Sequence, residues 1–184
     1  MLNTLSKANV SGSDSQQITS KIVDSHFRGN QGPQLIYTFR TSLELTNVSA
    51  TRNFNSRGEA SPFEFVSSNL TITGSEFEGA PCSGASINGG ILWDVGDNNL
   101  TISDSSFSNS CALNGGALYS GGFSSIQIKR TTFSNCSSLK RGGAIYSLDS
   151  SSLTIASSSF RNNRASIAGG DIFVTEALSS PQIT

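Results

Sequence analysis

Charge is scarce in this sequence. Only 14% of its 184 residues are Asp, Glu, Lys or Arg, against the roughly 25% usual for globular domains. The net charge is −1, so no global field recruits nucleic acid or an acidic membrane. Apolar runs are short, and none approaches the roughly 20 residues of a membrane span. The opening MLNTLSKANVSGSDSQQ lacks the apolar core of a signal peptide. We therefore expect a chain that is not secreted by its own leader or one that is an internal piece of a longer product. Histidine occurs once, at His26, and the three cysteines have no CxxC spacing. Nucleophilic triads and histidine-rich or zinc-ribbon sites thus have no support. Glycine pairs occur without a following GK[ST], so they are not phosphate loops, and no cofactor is expected.

What is present is a repeat. NLTITGSEFEG from Asn69, NLTISDSSFSN from Asn99, SIQIKRTTFSN from Ser125 and SLTIASSSFRN from Ser152 superpose. Each has two aliphatic residues two apart, a polar stretch and then a phenylalanine: Phe77, Phe107, Phe133 and Phe160. Each is followed by a glycine pair and a second apolar patch: GGILW, GGALY, GGAIY and GGDIF. Weaker copies start at Ser20 and Ser42, so the units recur about 23 to 30 residues apart.

Alternation with a period of two means strand, and Gly, Ser and Asn suit corners. A unit this short cannot bury its apolar side alone, so coils must stack about 4.8 Å apart and share a core. The expected fold is all-β, a right-handed parallel β-helix: a single-stranded solenoid of about six coils. Residues 18–176 carry it; residues 1–17 are an N-terminal extension or a preceding coil, and 177–184 a tail or the start of the next coil. Equivalent residues then form ladders, with the phenylalanines and the aliphatic pairs inside. The glycines serve tight corners and close backbone approach.

GGAL at 115–118, GGAI at 142–145, FRGN at 27–30 and FRNN at 160–163 resemble the GGA[ILV] and FxxN repeats of chlamydial polymorphic outer-membrane proteins. Similar repeats occur in large β-helix surface proteins of protists. FSNS and FSNC carry the asparagine one place early, and GGIL and GGDI are also imperfect. The resemblance covers about residues 20–175 and implies surface display and adhesion. The expected place is extracellular or at the cell surface, in a non-enzymatic structural or adhesive segment. Its partners would be glycans, other surface proteins, or further β-helix coils of the same polypeptide or an assembly, with no nucleic acid and no direct membrane insertion.

Other classes have their own candidates. Many parallel β-helices cleave acidic polysaccharides, as pectate lyases and polygalacturonases do, and Asp94 and Asp97 in WDVGDNN are the best carboxylates for that; turn aspartates are the plainer account. An intracellular assembly component is the third class. Cys82, Cys111 and Cys136 fall in consecutive coils, five, four and three residues past the phenylalanine, close enough for one disulfide with one thiol left over; buried small hydrophobes are the plainer account. Asn9, Asn47, Asn69, Asn99 and Asn135 begin glycosylation sequons. Lys129, Arg130, Lys140, Arg141, Arg161 and Arg164 make a basic strip for an anionic glycan or partner, although Arg130 aligns with Asp104 as an ordinary ion pair. Trp93, Tyr119, Tyr146 and Phe173 form a second aromatic row. Asp171 in the place of Ala144 suggests that this row faces out, with Leu92, Leu118, Ile145 and Ile172 in.

Overall fold

The structure, a computed structural model, describes residues 19–30, 34–53, 61–82, 88–149, 152–175 and 181–184. Every named element is a strand. The first coil holds β1 (Thr19–Val23), β2 (His26–Arg28) and β3 (Ile36–Phe39). The second holds β4 (Ser42–Thr46), β5 (Ser49–Thr51) and β6 (Phe63–Val66). The third holds β7 (Asn69–Thr73), β8 (Glu76–Glu78) and β9 (Leu92–Val95). From the fourth coil a further short strand appears: β10 (Asn99–Ser103), β11 (Ser106–Ser108), β12 (Cys111–Ala112) and β13 (Leu118–Gly121). The fifth repeats this as β14 (Ser125–Lys129), β15 (Thr132–Ser134), β16 (Ser137–Ser138) and β17 (Ile145–Leu148). The sixth has β18 (Ser152–Ala156), β19 (Ser159–Arg161), β20 (Arg164–Ala165) and β21 (Ile172–Thr175). Finally β22 (Gln182–Ile183) lies on β18 and opens a further coil.

Equivalent strands pair in parallel and in register. They build a seven-stranded first sheet from β1 to β22, six-stranded second and fourth sheets, and a three-stranded third sheet of β12, β16 and β20. The period-two pattern sets the sides: Leu100 and Ile102 lie in register with Ile126 and Ile128, all fully buried, while Thr101 and Gln127 face out. In the second sheet Phe77, Phe107 and Phe133 are fully buried and stacked, with ring centroids 4.9 and 5.1 Å apart. Phe160 continues the stack at 5.1 Å but is only partly buried, contrary to expectation. The cause is position: among the described residues β19 is the last strand of its sheet, so no further strand of that sheet covers the outer side of the ring.

The glycine pairs divide two tasks between their members. Gly142 has φ +65°, and a side chain there would also run into the carbonyl of Ile145. Gly143 has no such φ, but a β-carbon on it would overlap the carbonyl oxygen of Gly170 in the next coil. The first glycine makes the corner and the second lets the coils touch.

Serine and asparagine explain their abundance at the other corners. Ser105 Oγ donates to the Ser103 carbonyl (2.6 Å) and accepts from the Ser75 N–H of the preceding coil (3.1 Å). Thr131 and Ser158 repeat the motif. Three residues after Phe160, Asn163 accepts from the Cys136 N–H (2.9 Å) and donates to the Phe133 carbonyl (3.1 Å). Asn109 and Asn135, one place earlier in their repeats, instead occupy left-handed corners with φ of 52° and 53°. Asn fits both positions, because it tolerates this φ and carries an amide that serves two backbone groups.

Candidate functional site

Asp94 is not a turn aspartate. It lies within β9, and because Trp93 faces out, Asp94 faces in, where it is fully buried. Its neighbours in register are Phe65 and Ser120. Asn98 Nδ2 donates to Oδ1 at 2.7 Å and Ser120 Oγ to Oδ2 at 2.9 Å. Burial pushes the carboxyl up to about 6, against hydrogen bonds from Ser120, Ser124 and Asn98 that pull it down. Asp97 is exposed at the corner that follows. The two carboxylates of the enzyme reading are thus not brought together on an outer face: one lies inside the coil and the other in solvent. His26 is exposed on β2. Among the described residues, no three His, Cys, Asp or Glu side chains gather as a metal set.

The outer face of the fourth sheet has a different character. Tyr37, Glu64, Trp93, Tyr119, Tyr146 and Phe173 lie in one register row. Tyr119 stacks on Tyr146 at 5.2 Å and Tyr146 on Phe173 at 5.4 Å, within 16° of parallel. The inward partners Leu92, Leu118 and Ile145 are fully buried and Ile172 partly so, as the row's orientation requires. The argument from Asp171 fails even so, since Ala117 and Ala144 are themselves fully buried. The N–H groups of Ala144 and Ile145 share the Asp171 carbonyl, as those of Ala117 and Leu118 share that of Ala144, and this local bulge breaks the alternation.

Tyr119, Tyr146 and Phe173 thus cover one another's ring faces. Burial and the nearby Tyr146 and Asp149 raise the Tyr119 phenol above its ordinary value.

Sequence reasoning missed a second outward row, two residues on: Phe39, Val66, Val95, Gly121, Leu148 and Thr175. The signal was in the same period of two, counted onward from each aromatic. At Gly121 the Tyr119 ring leans into the gap, where a β-carbon would stand 3.1 Å from it and 3.4 Å from Val95. The two rows make a mainly apolar strip on this face, interrupted by Glu64, Gly121 and Thr175. The outer faces of the first and second sheets carry residues such as Thr71, Thr101, Gln127, Glu76, Ser106 and Thr132 instead.

The basic strip is dispersed by comparison. Lys129, Lys140, Arg161 and Arg164 are exposed. Arg130 forms two hydrogen bonds with Asp104 at 2.6 and 2.7 Å, holding that carboxyl below its ordinary value. Arg141 lies over the Phe173 ring, 5.3 Å from its centroid.

Cys82 and Cys111 are joined as a disulfide between the third and fourth coils, with Cα atoms 5.0 Å apart. Cys136 is a buried free thiol, which burial pushes up to about 11. The disulfide borders a groove of about 690 Å³ that Arg52, Glu78, Pro81, Asn109 and Asn135 also line; of these five only Asn135 was singled out from sequence. Of the sequon asparagines, Asn47, Asn99 and Asn135 are exposed. Asn69 is half-buried and accepts from the Asn99 side-chain amide at 3.1 Å. Asn9 lies outside the described residues.

Comparison with known proteins gives one match. A family model described as a right-handed beta helix region matches residues 8–178. No curated protein and no solved structure matches the chain.

Proposed function

We propose that this chain, which belongs to the right-handed β-helix family, is a non-enzymatic structural and adhesive segment of a cell-surface or extracellular protein. It works by presenting a long face to a partner. The observation that carries this reading is the strip on the fourth sheet, where Trp93, Tyr119, Tyr146 and Phe173 stand in one outward register row beside Val66, Val95 and Leu148 in the next. Apolar side chains kept in register along one outer face are what a docking face requires. The stacking of Tyr119, Tyr146 and Phe173 favours a protein surface over a glycan, because these ring faces already cover one another. The inter-coil disulfide supports an oxidising location. The likeness of GGAI and FRNN to chlamydial surface-protein repeats supports display in the same way.

The enzymatic alternative needs carboxylates that converge on a substrate, and Asp94 is sealed inside the coil. The test is incubation with acidic polysaccharides, with and without calcium. The expected result is neither unsaturated products nor new reducing ends. Sustained turnover that disappears in Asp97→Ala, with the fold intact by circular dichroism, would replace this reading with a lyase or hydrolase.

A further inference from the structure

We infer that the partner of the apolar strip is a second copy of this chain, packed face to face with its rod antiparallel to the first; this rests on reading the strip as a docking face. The six-position row, five aromatics and Glu64, is nearly self-complementary about its middle. A two-fold axis lying in the interface, along the strand direction and midway between Trp93 and Tyr119, exchanges the third coil with the fourth and the second with the fifth. Trp93 then meets Tyr119 of the partner, and the Val66 side of one strip covers the Leu148 side of the other.

Charge selects this arrangement. Glu64 is the one charged residue in the two rows, and it stands in the second coil. Its carboxylate is drawn toward the start of β6, where it accepts from the Ser61 N–H at 3.2 Å and from Gln34 Nε2. Arg141 belongs to the fifth coil, precedes β17 and lays its guanidinium on the face over Phe173. The rotation sets Glu64 of each copy opposite Tyr146 of the other, one coil from the guanidinium over Phe173 and on the same side of the strip. It also brings Arg40, which covers the Phe39 ring at 5.0 Å, within one coil of Asp149. A parallel arrangement would instead set Glu64 against the second coil of the partner and leave both charges against apolar rows.

Size fixes the strength. Six strands about 4.8 Å apart and four residues wide span roughly 29 by 13 Å, or about 400 Å² of face. That is below the roughly 800 Å² per partner of a standard stable interface, so the dimer is weak and reversible.

Sedimentation equilibrium of the full chain from low to high micromolar concentration tests this. The expected result is a reversible monomer–dimer equilibrium. Glu64→Arg and Arg141→Glu should each weaken it at least about tenfold, and the double exchange should restore it. Val95→Lys, an outward change with no charge partner, should weaken it without rescue. A chain that stays monomeric, a dimer indifferent to the charge reversals, or single defects that the double exchange does not repair would each overturn the proposal. Thermal melts of every variant separate loss of association from loss of fold. A monomer that also lacks polysaccharide turnover refutes the dimer and leaves the display reading standing; turnover refutes that reading directly.

Discussion

The α-carbon of Gly143 faces the carbonyl oxygen of Gly170 so closely that a β-carbon would overlap it. Gly170, the equivalent residue one coil later, has among the described residues only the Asn163 carbonyl at 3.9 Å in the same position. Alanine should therefore have unequal consequences at two equivalent sites. Gly143→Ala should cost about 3 kcal/mol, at the upper end of overpacking penalties, and Gly170→Ala less than about 0.5 kcal/mol. Denaturant midpoints of the two variants check this, and equal costs would refute the assignment of the second glycine to coil contact.

The phenylalanine ladder predicts a gradient. Phe133 has a ring on each side and no exposure, whereas Phe160 has one neighbour and is partly exposed. Phe133→Ala should cost roughly 3–5 kcal/mol and Phe160→Ala less than about 2 kcal/mol. Equilibrium unfolding in urea would show the difference directly.

Asp94 should make the fold less stable as acidity falls. Its folded carboxyl titrates near 6, above the ordinary 3.8, so between these values the native state holds the proton more tightly than the unfolded chain. Stability from this group is fully present below about pH 4, is lost as pH rises toward 6, and is flat beyond. The span is on the order of 3 kcal/mol. Asp94→Asn should abolish this component while keeping polar atoms for Asn98 and Ser120. Unfolding free energies from pH 4 to 8, taken as wild type minus variant, isolate it from surface pairs such as Asp104–Arg130. A difference that is flat or rises with pH would contradict the buried geometry.

Thiol chemistry should separate the three cysteines. Denatured but unreduced protein should show one reactive thiol, Cys136, and reduced protein three. Reduction should cost about 3–4 kcal/mol by loop entropy for a 29-residue separation. Three thiols without reductant would remove the bond.

The repeated positions were legible because period-two alternation and coil stacking make the same demand in every unit. Leu100, Ile102 and Phe107 could be placed from sequence with no knowledge of their neighbours. Asp94 was harder, because its environment is set by residues that are not its repeat equivalents. Its hydrogen-bond partner Asn98 sits four positions away around a corner, and Phe65 occupies its slot in the coil before. The alternation also fails locally at Ala117 and Ala144, where two N–H groups share one acceptor. The apolar strip was half visible: the aromatic row stands out by residue type, but Val66, Val95 and Leu148 resemble core residues until the strand sides are known.

The Cys82–Cys111 bond gives the rod a limit of extension. Load applied at the two ends would peel coils from their neighbours, each releasing its length of chain. The bond bypasses a stretch of 29 residues, which at about 3.5 Å per extended residue withholds roughly 100 Å of contour from the pulling ends. A reductant would hand that length back as slack, so the redox state of one pair of sulfurs sets how far a tethered segment stretches before it bears force again.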